Sequence, residues 1–296
     1  PRVEKTLPTP VLIVYAYINR PYILDLQPDR SIVGKLLDNG LNVYMIDWGY
    51  PKKADKYIDI EDYVEYIDKA VEIVSRQTGK DKITLHGYCL GGTLSIIYSA
   101  LNPEKVKNLV LQATPVDFDV PKTINIWAKS LDVDKVVDAM GNVPGEFLNN
   151  AFLLADPIGL TFGKYANLIK EAKDENFLKN FLRMEKWIFD SPDIPGETFR
   201  RYIKDWYQKN LLIKNEFKLA GKKVDLRRIN MPTLAITADY DHIAPPESTK
   251  PVLDAISSTD KTMMTFPTGH IGVSVGSKPA YSLWPKVIDW MKERSQ

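Results

Sequence analysis

The stretch KITLHGYCLGGTLSIIYSALNPEKVKNLVLQATPVDF, Lys82 to Phe118, decides the fold. KITLHG reads as a short apolar strand, Gly91 to Leu101 as a helix, and VKNLVLQAT (Val106 to Thr114) as a second strand. Where the first strand gives way to the helix, Gly87-Tyr88-Cys89-Leu90-Gly91 fits G-x-S-x-G with Cys in place of Ser. So sharp a turn strains its central residue and needs small neighbours, which Gly87, Gly91 and Gly92 supply. The central side chain then projects at the C-terminal edge of the sheet, where open α/β folds bind ligands, above a helix N-terminus that favours a thiolate. Free cysteine is among the most buried residue types, so the blander alternative for Cys89 is a small space-filler. Its position in this pattern favours a nucleophile instead.

Working outward, VLIVY (Val11 to Tyr15) and LNVYMID (Leu41 to Asp47) are further strands, separated by a short helix in SIVGKLLDNGL (Ser31 to Leu41) that the Asn39-Gly40 pair stops. IEDYVEYIDKAVEIVSRQTGK (Ile60 to Lys80) puts Tyr63, Ile67, Ala70, Val71 and Val74 on one helical stripe. Alternation of strand and helix predicts a parallel, doubly wound sheet. The rhythm breaks after Thr114 and returns at PTLAITA (Pro232 to Ala238), TMMTFP (Thr262 to Pro267) and a last helix, Ala280 to Ser295. Between them FLKNFLRMEKWIF (Phe177 to Phe189) and FRRYIKDWYQ (Phe199 to Gln208) carry apolar residues at helix spacing. The expected organisation is a core over residues 1–114 bearing the nucleophile turn, a helical cap insertion over 115–230, and the rest of the core over 231–296.

A reactive thiol needs a proton acceptor, and the chain has three histidines, His86, His242 and His270. His86 sits at the end of the strand before the turn and reads as structural. His270, in FPTGHIGVSVG, follows the last strand on a glycine-containing loop, where an α/β hydrolase places its base. The preceding strand runs into ADYDHIAPPEST, with Asp239 and Asp241 as candidate acids. The chain order nucleophile, acid, base is that of the hydrolase elbow enzymes. The expected fold class is therefore α/β, an α/β-hydrolase fold with a mostly parallel sheet.

Composition narrows the partners. Of the 296 residues, 39 are Lys or Arg against 38 Asp or Glu, and a net charge of +1 argues against nucleic acid and against a polybasic membrane patch. The apolar run Val11 to Ile18 is shorter than the roughly 20 residues needed to span a bilayer, so no integral membrane association is expected. One cysteine forms no internal disulfide, which favours a reducing, cytoplasmic compartment. With a single Cys and three scattered His a metal site is not expected, and no G-x-x-x-x-G-K-[ST] or G-x-G-x-x-G occurs, so no cofactor is expected either.

GYCLGGTL, INRPYILDLQP (Ile18 to Pro28), DYDHIAPPEST and TGHIGV together resemble the polyhydroxyalkanoate synthases, most of all the catalytic subunit of the class III, two-subunit type. The similarity extends through DWYQKNLLIKNEFKLAGKKVDLRRINMPT (Asp205 to Thr233). The resemblance implies an acyltransferase that polymerises (R)-3-hydroxyacyl-CoA, short-chain units such as 3-hydroxybutyryl, into polyester with release of CoA. It makes Cys89 the nucleophile that carries the acyl chain as a thioester, His270 the base, and Asp241 the third catalytic residue, with His242 ordering the loop. It implies acyl-CoA and polyester as partners, a homodimer or a second, non-catalytic subunit, and a place at the granule surface. Only ten residues precede Val11, where the family carries a longer segment and an α/β hydrolase normally opens with two more strands, so N-terminal strands are expected to be missing.

The oxyanion of acyl transfer needs preorganised donors. The backbone N–H of Leu90, next after the nucleophile, is the expected first donor; the second is expected from AYIN (Ala16 to Asn19), at Tyr17 or Ile18. Trp206 matches a family position in the cap, although core packing accounts for such a residue. Lys218, Lys222, Lys223, Arg227 and Arg228 read as a solvated charged face, with CoA phosphates the alternative ligand. Two rival readings share these residues: a cysteine hydrolase of thioesters or lactones, and a non-enzymatic scaffold.

Overall fold

A computed structural model of the chain describes residues 6–157, 159 and 163–295. Six strands form one parallel sheet in the order β2-β1-β3-β4-β7-β8: β1 (Val11–Val14), β2 (Val43–Met45), β3 (Ile83–Tyr88), β4 (Val106–Gln112), β7 (Thr233–Ala238) and β8 (Lys261–Phe266). The remaining strands, β5 (Lys218–Leu219) and β6 (Lys222–Lys223), form a small antiparallel hairpin. Strands β1, β3 and β7 are buried along their whole length, as expected where helices cover both faces of a parallel sheet.

Each crossover helix follows from local sequence. Helix α1 (Ile32–Asp38) starts at Ser31, whose hydroxyl accepts from the Gly34 N–H. Helix α2 (Ile60–Thr78) begins with a capping box between Asp59 and Asp62 and ends at Gly79 in the left-handed region. Its buried stripe is Ile60, Tyr63, Val64, Ile67, Val71 and Val74, while Ala70 is only half-buried. Helix α3 (Leu90–Leu101) is buried over eleven consecutive residues from Leu90 to Ala100, because it runs through the middle of the molecule behind β3 and β4.

Between β4 and β7 the chain forms α4 (Thr123–Ser130), α5 (Val133–Met140), α6 (Gly145–Ala155), α7 (Lys164–Glu171), α8 (Glu175–Phe189) and α9 (Gly196–Arg201). The cap expected over 115–230 falls on this region, with 158 and 160–162 outside the described residues. The helix read over Phe199 to Gln208 is α9 continued by a π-helical turn, Tyr202–Gln208, around fully buried Trp206. Trp206 packs against Phe118, Tyr202 and Phe217, which is core packing. After β7 come α10 (Pro246–Thr249) and α11 (Pro251–Ala255), and after β8 come α12 (Gly272–Val275), α13 (Ser277–Ser282) and α14 (Trp284–Glu293). The single last helix expected over Ala280 to Ser295 is thus divided. Pro285 starts a new helix rather than continuing α13, since its ring excludes an upstream helical carbonyl and it has no N–H to donate.

Candidate active site

Cys89 stands between β3 and α3 with φ +52° and ψ −125°. Its N–H donates to the Gln112 carbonyl at 2.9 Å, which keeps it in register with β4, and its own carbonyl accepts from the Gly92 N–H at 2.8 Å, which starts the helix. The reversal is possible only because the flanking residues lack side chains. A Cβ on Gly91 would lie 2.1 Å from the Val14 carbonyl oxygen, and one on Gly87 would lie 2.3 Å from the Gly92 Cα. Holding a non-glycine residue in a left-handed conformation costs about 1–3 kcal/mol, and the packed strand and helix on either side sustain it.

His270 lies between β8 and α12, and Asp241 follows β7. The two loops are joined by a hydrogen bond from the Tyr240 N–H to the Thr268 carbonyl, 2.9 Å. His270 Nδ1 and Asp241 Oδ2 are 2.6 Å apart, both residues being buried. The other oxygen of Asp241 accepts from the N–H groups of Ile243 and Ala244, each at 2.8 Å, so the carboxylate is fixed by the backbone. Of the two candidate acids, therefore, Asp241 reaches His270, while Asp239 is exposed. Burial opposes charge on this pair, but mutual attraction prevails. The imidazole is raised well above its ordinary value by the charge and hydrogen bond of the Asp241 carboxylate, and the Asp241 carboxyl is lowered by His270 and its two backbone donors.

Cys89 and His270 line one cavity of about 480 Å³. Its walls combine the end of β1 and the following loop (Tyr15, Ala16, Ile18, Asn19) with apolar side chains of α6 and α8, among them Phe152, Phe177, Phe181 and Met184. A shell of tyrosines sits behind the nucleophile: Tyr15 stacks on Tyr88 at 5.0 Å between ring centroids, and the Tyr88 hydroxyl donates to the His270 carbonyl at 3.2 Å. Burial pushes the Tyr88 and Tyr207 hydroxyls up to about 12, so both stay protonated near Cys89. No feature of the linear sequence marked these tyrosines, which come from the residue after β1, from β3 and from the π-helical turn.

The other expected positions divide. Ile18 lines the cavity, whereas the Tyr17 side chain turns inward onto Tyr63, 4.9 Å between centroids. Leu90 is the first residue of α3, so its N–H belongs to the unsatisfied first turn. His242 lines the cavity with its Nε2 unpartnered, and burial lowers it below the ordinary histidine value. His86 is fully buried, bonded through Nε2 to Gln112 Oε1 at 3.0 Å, and lowered by burial to about 4. It belongs to the core. Lys218, Lys222, Lys223, Arg227 and Arg228 are all exposed and none lines the cavity. Among the described residues no helix is long and apolar enough to cross a membrane, and no group of three or more His, Cys, Asp or Glu side chains converges as a metal site.

The model of the alpha/beta hydrolase fold family matches residues 9–277. The chain is 48% identical over 289 residues to a poly(3-hydroxyalkanoate) polymerase subunit PhaC of Allochromatium vinosum, covering 97% of this chain and 81% of that one. The chain belongs to the PhaC polymerase family. A second relative of the same name, from Haloferax mediterranei, is 48% identical over 299 residues, and there the match covers all of this chain but 61% of the longer protein. The fold is shared more widely. A monoacylglycerol lipase of Paleococcus ferrophilus superposes with a TM-score of 0.59 at 18% identity, covering 97% of each chain. Membership in the PhaC family agrees with the resemblance carried by the four sequence motifs.

Proposed function

We propose that this chain is the catalytic part of a polyester synthase that polymerises (R)-3-hydroxyacyl-CoA, with 3-hydroxybutyryl as the unit, through a thioester on Cys89. The observation that carries the reading is that Cys89 and His270 open onto one predominantly apolar cavity, with Asp241 buried behind His270 and bonded to its Nδ1. His270 Nε2 takes the thiol proton, while Asp241 holds Nδ1–H and stabilises the imidazolium. The Cys89 sulfur attacks the acyl-CoA carbonyl, and the negative oxygen of the tetrahedral adduct is met by the N–H groups of Leu90 and Ile18. Collapse breaks the bond to the CoA sulfur, which leaves with the proton from His270.

Elongation uses the same groups. The 3-hydroxyl of an incoming acyl-CoA attacks the carbonyl on Cys89 as His270 removes its proton and returns it to the departing Cys89 sulfur. The lengthened chain, now on CoA, passes back to Cys89 by thioester exchange and releases one CoA for each unit added. A thioester suits this relay because it keeps its acyl-transfer reactivity, which an oxygen ester holds less well. Helices α4 to α9 act as the cap, and the aromatic walls of α6 and α8 exclude water that would hydrolyse the acyl enzyme. His242 orders the acid loop.

The enzyme works at the polymer surface in the cytoplasm, as a homodimer or with a second, non-catalytic subunit. Exposed Leu154, Ile169, Leu182 and Phe189 on α6, α7 and α8 support contact with an apolar product. Incubation with 3-hydroxybutyryl-CoA tests the function: CoA release accompanied by insoluble polymer is expected, and soluble 3-hydroxy acid as the sole product would contradict it.

A further inference from the structure

Oxyanion stabilisation demands that its donors be held within a few tenths of an ångström, and the Ile18 N–H is carried by a segment with no regular structure. Residues Tyr15 to Arg20 run from the end of β1 to a short 3-10 turn, Pro21–Asp25. On the sheet side this segment is tied by the Trp48 indole N–H, which donates to the Tyr15 carbonyl at 2.8 Å, and by the paired bonds of Arg20 to Asp47, 2.8 and 2.9 Å.

On the other side it is held by the C-terminal end of α8 and the two residues beyond it. The buried Trp187 indole donates to the Arg20 carbonyl at 2.8 Å. The Asn19 amide donates to Ser191 Oγ at 2.8 Å. Asp190 accepts from two tyrosines, half-buried Tyr22 at 2.9 Å and exposed Tyr50 at 2.5 Å, and the Tyr50 ring lies 4.3 Å beneath the Arg20 guanidinium. Burial and then Asp190 raise the Tyr22 hydroxyl, and the bond to Asp190 raises that of Tyr50, so both remain donors across the neutral range. Residues 187, 190 and 191 thus grip positions 19, 20 and 22, directly downstream of Ile18, over sequence separations of 167 to 172 residues.

We propose that Trp187 and Asp190 are positioning residues for acyl transfer: the grip of the α8 terminus on Asn19, Arg20 and Tyr22 keeps the Ile18 N–H aimed at the oxygen that becomes negative on Cys89-bound acyl groups. The helix that supplies the apolar wall of the cavity thereby also fixes part of its electrostatic machinery, so an enzyme with α8 displaced retains its thiol but loses an oxyanion donor. The kinetic half of this inference rests on the proposed function, while the structural half stands on the hydrogen bonds alone.

Three measurements on the chain test it, with the wild type compared against Asp190→Ala, Trp187→Phe and Asp190→Asn. In hydrogen exchange the amides of Tyr17 to Arg20 are expected to exchange about tenfold faster or more in Asp190→Ala and Trp187→Phe, with Gly87 to Gly92 unchanged. With 3-hydroxybutyryl-CoA and with p-nitrophenyl butyrate, kcat of Asp190→Ala is expected to fall about tenfold or more, with KM altered by less than about twofold. Alkylation of Cys89 by iodoacetamide, which forms no oxyanion, should keep its wild-type rate. Asp190→Asn, whose carboxamide accepts from one tyrosine and can donate to the other, should restore most of kcat. Unchanged exchange over Tyr17 to Arg20 overturns the proposal, as does a parallel loss of alkylation and acyl transfer. A wild type inert toward both substrates would refute the polyester reading instead, and the exchange data would then decide the grip by themselves.

Discussion

Asp241→Asn is the perturbation whose consequences the structure defines most fully. Asn can keep its carbonyl on the Ile243 and Ala244 N–H groups that Asp241 Oδ1 now serves, each at 2.8 Å, so the loop has no reason to move. What changes is the atom facing His270 Nδ1, 2.6 Å away in the wild type. An amide NH₂ there turns Nδ1 into an acceptor, places the ring proton on Nε2, and leaves nothing to take the Cys89 proton. By analogy with the same change in Ser-His-Asp enzymes, kcat should fall by about 10³ to 10⁴, or roughly 4 to 5.5 kcal/mol of barrier.

The substitution also has a thermodynamic signature. The raised His270 contributes stability that is fully present below the ordinary histidine value of 6.5 and is lost as pH rises through its higher folded value. The lowered Asp241 contributes stability present above 3.8 and lost as pH falls through its lower folded value. Both terms are in force between pH 3.8 and 6.5. His86 acts in the opposite sense, costing stability as pH falls from 6.5 toward its folded value of about 4, but it does so in both proteins. The difference between the melting profiles of wild type and variant against pH isolates the pair. It should be largest in that window and shrink above it. CoA release resolved by chromatography gives the rate, and scanning calorimetry gives the profile. A variant that keeps more than about a tenth of wild-type kcat, or a Tm difference independent of pH, would refute the assignment of Asp241 as the partner that orients and charges His270.

Other outcomes follow from the same geometry. Cys89→Ala should abolish CoA release while shifting Tm by only a few degrees, since it removes one sulfur from a site that already opens on a cavity; retained turnover would move the nucleophile elsewhere. Gly91→Ala should destabilise by about 2–3 kcal/mol or more, because its Cβ would stand 2.1 Å from the backbone oxygen of Val14, and an unchanged denaturation midpoint would show that the strand and helix are not in such close contact. His86→Gln should preserve turnover and flatten the fall in Tm between pH 6.5 and about 4; a loss of activity comparable to that of Asp241→Asn would give His86 a chemical role.

The nucleophile turn was legible because strand, glycines and helix N-terminus are all local signals within Ile83 to Leu101, and each points to the same conformation. The acid and base loops were legible as positions, each following a short apolar strand. Loop position alone left Asp239 and Asp241 equivalent; the family resemblance singled out Asp241, and a side-chain contact across 29 residues separates the two in the fold. Tyr17 and Ile18 were likewise open as oxyanion donors, and the cavity is lined by Ile18. The tyrosine shell behind Cys89 and the grip of α8 on Asn19 and Arg20 left no trace in periodicity, because their partners lie up to 182 residues apart and no spacing rule links them. Division of the last helix was readable in principle from Pro285, but the amphipathic pattern on either side continues smoothly and hides the break.

The central claim is that the growing chain hangs from Cys89. Quenching the protein within its first turnovers on 3-hydroxybutyryl-CoA and determining the mass of the peptide bearing Cys89 tests it most directly. The account predicts that peptide heavier by one or more whole 3-hydroxybutyryl units, joined through a linkage that hydroxylamine cleaves. An unmodified Cys89 peptide during rapid CoA release, or the same units on a different residue, would contradict it.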